Sequence, residues 1–104
     1  MEPTHQVIIS QTARTSLRAI VAYIRQDSPQ AAQNVRKELI ALAESLSASP
    51  ERFPPEPYLA HKPGEYRSAK KWHYKLIYRI TEKQVRVLDI VHTRQHPSRI
   101  EALE

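Results

Sequence analysis

Two histidines, His92 and His96, stand four residues apart, and imidazole titrates near neutrality, so either is suited to moving a proton. On a helix the same spacing would aim both rings at a metal ion. Pro97 and a strand-like context break that geometry, so no metal site is expected and no cofactor is implied. Arg67 and Arg94 fall where strands are expected to end, a place suited to meeting an anion or a partner; an ion pair with Glu65 or Asp89 is the structural alternative. Lys75 and Arg79 alternate with apolar residues, and the plainer reading puts them on the solvated face of a strand. Lys70-Lys71-Trp72-His73 makes a basic turn carrying an aromatic, suited to nucleic acid or to a partner protein, unless the Trp packs down on the helices. Tyr74 and Tyr78 read as core aromatics before they read as stacking platforms.

The elements that must position these groups follow from periodicity. Val7-Ile8-Ile9 is a β-branched run ended by Ser10-Gln11-Thr12, a strand leading into a helix N-cap. Leu17, Ile20, Val21 and Ile24 then recur at i, i+3, i+4 and i+7, the stripe of an amphipathic helix ending near Asp27. Ser28-Pro29 restarts the helix, because serine caps and proline is tolerated at the first helical position. Val35, Leu39, Leu42 and Leu46 form the second stripe, which Ser49-Pro50 stops, and the near-zero loop makes the two helices antiparallel neighbours. Five prolines between Pro50 and Pro63 predict an extended connection.

From Glu65 to His92 the pattern is that of strands. Glu65 to Lys71 is expected at an edge, and Tyr74 to Ile80 alternates with period two before a turn at Glu82-Lys83. Val85, Val87 and Val91 on one face with Leu88 and Ile90 on the other make the returning strand buried on both sides and central. Pro97 starts a short C-terminal helical turn. The order strand-helix-helix-strand-strand-strand predicts an α+β fold, a helix hairpin packed on a small, mostly antiparallel sheet.

At 104 residues, positions 1–104 are expected to form a single domain. Sixteen Lys and Arg against eleven Asp and Glu give a net charge of +5, which favours nucleic acid, the ribosome or an acidic protein as partner, while solubility alone is the bland explanation. With no cysteine, disulfides and thiolate zinc sites are excluded, which is compatible with a reducing compartment. The start lacks the basic-then-apolar profile of a signal peptide and no apolar run is long enough for a bilayer, so a cytoplasmic location without membrane contact is expected.

Three phrases in order then carry a specific resemblance: Glu65-Tyr66-Arg67, the strand Tyr74-Lys75-Leu76-Ile77-Tyr78-Arg79-Ile80, and the ending Leu88-Asp89-Ile90-Val91-His92-Thr93-Arg94-Gln95-His96-Pro97. With the element order, they resemble the RelE/ParE superfamily of toxins from type II toxin–antitoxin systems, over nearly the whole chain. The resemblance implies a growth-inhibiting toxin held inactive by a cognate antitoxin whose flexible segment wraps the hairpin and sheet, with Leu17, Val21, Ile24, Tyr74 and Tyr78 as expected contacts. Operator DNA would be reached only through that complex.

Two activities live on the implied fold, and fold does not choose between them. The RelE-like branch cleaves messenger RNA on the ribosome, which requires a base, an acid and cations for the phosphorane-like transition state. Carried over position by position, Arg67, Lys75 and Arg94 match its cations, with His92 or His96 in proton transfer. Ala69 stands where that pattern has a second lysine, and Ile100 about where it has a C-terminal tyrosine. These losses lean the reading away from an enzyme and toward the ParE-like branch, which inhibits DNA gyrase without chemistry of its own. Its target contacts would be Arg67, Lys70, Lys71, Arg79, Arg94 and Arg99 with the tail from Pro97 to Leu103. The alternatives are the ribosome-dependent endoribonuclease and an inactive module that only binds its antitoxin.

Overall fold

The computed structural model describes residues 4–95 and 97–104. Strand β1 (Gln6–Ile9) runs into helix α1 (Gln11–Arg25), which is followed by α2 (Pro29–Ser45), and then by strands β2 (Glu65–Lys71), β3 (Tyr74–Ile80) and β4 (Gln84–His92) and the short α3 (Ser98–Glu101). Both long helices begin as their sequences dictate. Ser10 Oγ accepts the Ala13 N–H at 3.1 Å, and Ser28 Oγ accepts the Ala31 N–H at 3.1 Å with Pro29 in the first turn.

The strand order is β1-β4-β3-β2, so β4 is central; β2, β3 and β4 form an antiparallel meander, while β1 lies parallel to β4. A helix pair on a four-stranded mixed sheet is the expected α+β fold. The helices bury Ala13, Leu17, Val21, Ala32, Leu39 and Leu46 against Leu76, Tyr78, Val85 and Val87. Each such leucine or valine contributes roughly 1.5–3 kcal/mol by leaving water.

The opposite face is also covered. Leu59 and Ile100 pack on Tyr66, Ile77, Leu88 and Val91, so the proline-rich connection and α3 form a second, thinner layer. That connection is not extended throughout as expected: Pro50–Arg52 and Pro57–Leu59 form 3-10 turns, each started by a proline whose fixed φ suits the first position. α2 also ends sooner than the Ser49-Pro50 stop, at Ser45.

The even alternation expected along β4 is overturned by a bulge. Tyr78 partners Val87 while Ile77 partners Asp89, leaving Leu88 as the extra residue. Parity reverses there, so Ile90 joins Val85 and Val87 on the helix side and Val91 joins Leu88 on the other.

Both sheet margins are partly occupied. Outside β2, Ser68 N–H donates to Pro54 O at 3.1 Å and Glu56 N–H to Tyr66 O at 2.9 Å, so the connection lies along that edge. Beyond β1, the N–H groups of Ile90 and His92 are taken by side chains, Asp89 Oδ1 at 2.8 Å and Gln95 Oε1 at 2.9 Å. Among the described residues no helix is long and apolar enough to cross a membrane.

Candidate functional site

The chemistry-bearing side chains fall into four places. The first is the face of the sheet away from the helices, reached by Lys75 and Arg79 of β3. Lys75 is buried, which corrects its reading as a solvated strand residue; its Nζ meets Glu56 Oε1 at 2.6 Å, and Glu56 has no exposed surface. Glu56 Oε2 accepts the Tyr58 N–H at 2.8 Å, and the Tyr58 ring lies 5.7 Å from the Lys75 ammonium. Arg79 bonds Glu104 at 3.2 Å and stacks on the Tyr66 ring at 5.5 Å. Gly64, at φ 122°, makes room for this: a Cβ there would come within 3.2 Å of Arg79 Nε. Burial pushes the Tyr66 hydroxyl above its ordinary pKa; Arg79 opposes the shift and Glu104 reinforces it.

Arg67 sits within β2 rather than at a strand end. Its guanidinium donates to Phe53 O at 2.6 Å and Glu51 O at 3.3 Å and pairs with Glu65 at 2.9 Å, tying the connection to the sheet. The Glu65 alternative weighed for Arg67 is thus the contact present. Tyr78 is wholly buried, donates its hydroxyl to Pro50 O at 2.6 Å, and has its pKa pushed up to about 12 by burial. It leaves no surface for a partner. Ala69 is likewise buried against the helices, and Ile100 anchors α3 in the opposite-face core.

The second place joins three elements. Ser16 Oγ of α1 donates to Asp89 Oδ1 of β4 at 2.6 Å, while Arg99 of α3 donates Nε to Asp89 Oδ2 at 3.1 Å and Nη2 to Ser16 Oγ at 2.7 Å. Asp89 therefore pairs with Arg99, where the sequence had offered Arg94 or Arg67.

The third place is the end of the sheet at the β2–β3 turn. Lys70 and Lys71, expected in the turn, close β2 instead, and the turn itself is Trp72-His73. Trp72 is exposed rather than packed down into the core. His73 stacks on His92 with centroids 5.9 Å apart, and Tyr74 meets His92 edge-on at 5.7 Å. His92 Nδ1 accepts the N–H of the exposed Arg94 at 3.0 Å, which leaves Nε2 as the protonated nitrogen of the neutral ring. His96 lies outside the described residues. Among the described residues no cluster of His, Asp or Glu could hold a metal ion.

The fourth place is a groove of about 450 Å³ between α1, α2 and β1, floored by Ile9, Leu17, Val21 and Ile40 and rimmed by Arg14, Arg18, Arg25 and Arg36. Leu17 and Val21 belong here, whereas Ile24 and Tyr74 line a separate groove of about 400 Å³ with Ile20, Tyr23, Ile90 and His92. The basic rim was missed in the sequence, although Arg14, Arg18 and Arg25 recur at helical spacing beside the apolar stripe. Glu56, distant in sequence and in a segment read only for its prolines, left no comparable signal.

Comparison with known proteins converges on one family. Residues 7–97 match the model of the ParE toxin of type II toxin–antitoxin system, parDE. Among solved structures, a chain of the chromosomal ParDE toxin–antitoxin system from P. aeruginosa superposes with a TM-score of 0.68 at 18% identity, covering 86% of this chain and 96% of that one. A chain of the RelBE2 toxin–antitoxin complex from Mycobacterium tuberculosis superposes with a TM-score of 0.60 at 26% identity, covering 88% and 99% respectively. No curated protein sequence matches the chain. The ordered strand motifs, the helix pair on a four-stranded sheet and the match over residues 7–97 lead to one conclusion: the chain belongs to the ParE toxin family of type II toxin–antitoxin systems.

Proposed function

We propose that the chain arrests growth by binding DNA gyrase without chemistry of its own, and that a cognate antitoxin neutralises it. The observation that carries this reading is the use made of the carried-over cations: Lys75 is buried against Glu56, and Arg67 is spent on the carbonyls of Phe53 and Glu51. Two of the three groups that phosphoryl chemistry would need therefore hold the proline-rich connection in place. A cation engaged in a buried pair is not available to a developing phosphorane charge.

The contacts left for a large target are exposed ones, Lys70 and Arg94 at one end of the sheet and Arg99 on α3, with Lys71 and Arg79 partly accessible. The tail from Pro97 to Leu103 adds a surface anchored from within by Ile100. For the antitoxin, the groove on the helix hairpin supports an acidic amphipathic segment, its apolar side on Leu17 and Val21 and its carboxylates on the arginine rim. Contact with Ile24 and Tyr74 as well would require that segment to wrap over α1. Operator DNA would be engaged by the antitoxin in that complex. The cytoplasm, where gyrase and antitoxin reside, is the compartment this reading requires.

Purified chain is expected to block gyrase supercoiling and accumulate cleaved DNA, and to leave ribosome-bound message intact. Untouched supercoiling together with message cleavage would overturn the reading. A second reading, the ribosome-dependent endoribonuclease, is favoured by the grouping of the His92 imidazole with His73, Tyr74 and the exposed Arg94 at one end of the sheet. It requires His92→Ala to abolish toxicity. Unchanged growth with folded chain and no antitoxin would instead support a module that only binds.

A further inference from the structure

Trp72 has φ 54°, at the first position of a two-residue hairpin turn where glycine is the ordinary occupant. A bulky residue in that region is strained, and strained residues of this kind cluster at functional sites. Trp72 is 51% exposed, with the Lys71 ammonium 5.0 Å from its ring centroid. Beside it stand the stacked His73 and His92, the latter joined to exposed Arg94, and Lys70 is exposed one residue before Lys71. Glu38 reaches this end too, 3.6 Å from Lys71, and neutralises part of its charge.

We infer that this end of the sheet is a contact for single-stranded nucleic acid, with Trp72 stacking on an unpaired base and Lys70, Lys71 and Arg94 neutralising the flanking phosphates. Flat rings set among cations suit bases and phosphates together, because every base has a π-face and stacking needs no sequence. An acidic peptide would satisfy the cations and gain little from the rings. The inference goes beyond the gyrase reading and does not depend on it. A strand separated at a cleaved gate and a message would present the same chemistry.

Trp72 is the single tryptophan of the chain, so its fluorescence reports this site alone. Titrating the purified full-length chain with a twelve-nucleotide oligo-dT is expected to quench that fluorescence saturably, with affinity falling steeply as salt rises. With a fluorescein-labelled oligonucleotide read by anisotropy, Trp72→Ala is expected to weaken binding roughly 5- to 100-fold, the worth of one base stack, and Trp72→Phe to keep most of it. Lys70→Gln with Lys71→Gln is expected to flatten the salt dependence at unchanged quenching amplitude. Absent quenching, or anisotropy unchanged by Trp72→Ala, overturns the inference. So does quenching by a polyglutamate peptide where oligo-dT gives none, which would make the site a protein contact. No gyrase is present in this titration, so its failure and the failure of the gyrase reading are separate results.

Discussion

Lys75 Nζ of the third strand lies 2.6 Å from Glu56 Oε1 of the proline-rich connection, inside the molecule on the face away from the helices. The pair fastens the connection to the sheet together with the Leu59 packing, the edge bonds to β2 and the bonds of Arg67 and Tyr78 to its carbonyls. Removing one member strands the other charge out of water, so Lys75→Met is expected to lower stability by about 3–5 kcal/mol in urea denaturation. Lys75→Met with Glu56→Gln should recover most of that loss. The double variant is also expected to keep gyrase inhibition, and its loss in a folded protein would assign Lys75 a role in activity.

The turn residue Trp72 gives a prediction in which the side chain cancels. Trp72→Gly and Trp72→Ala remove the same ring, but only glycine adopts φ near 54° without strain. The glycine variant should be more stable than the alanine variant by about 1 kcal/mol, read as a difference in denaturation midpoint at equal slope. Equal stability would mean that the turn carries no such strain.

The network of Ser16, Asp89 and Arg99 predicts an asymmetry. Arg99 is half in solvent, so Arg99→Ala is expected to cost no more than about 1 kcal/mol, while loosening α3 in hydrogen exchange over residues 98–103. Asp89 is buried, and Asp89→Ala leaves the Ser16 hydroxyl and the Ile90 N–H without their acceptor. It should cost about 2–4 kcal/mol. Comparable losses in the two variants would show that the arginine, not the buried acceptors, dominates.

Local periodicity made most of the architecture legible. The caps at Ser10 and Ser28, the stripes through Leu17 and Leu39, and the central, doubly buried β4 each depend on neighbours within a few residues. What escaped is what long-range contact decides. The bulge at Leu88, which swaps the faces of Ile90 and Val91, is set by pairing with β3, and period-two reading had no means to register an extra residue. Lys75 carried the alternation of a solvated strand residue because its counter-charge arrives 19 positions upstream, in a segment with no regular pattern of its own. Arg67, Lys70 and Arg94 were legible as cations, but their division between a structural clamp and an exposed end came only with the packing.

Tyr78 supplies the last expectation, an alkaline weakening of the fold. Burial raises its pKa to about 12, above the ordinary tyrosine value near 10, since a phenolate would lie in the core beside Leu76 and Val87. The unfolded chain releases this proton near pH 10 while the folded chain holds it, so the unfolded state binds fewer protons above that pH and stability falls as pH rises. The fall belongs to the window between about pH 10 and 12 and amounts to roughly 2–3 kcal/mol at its upper end. Tyr78→Phe removes the titrating group, leaving Pro50 O without its donor at a cost of about 1–2 kcal/mol at neutral pH. Wild type and Tyr78→Phe should therefore converge in stability as pH rises through this window in parallel denaturation series. Curves that stay parallel would place the Tyr78 hydroxyl in contact with water.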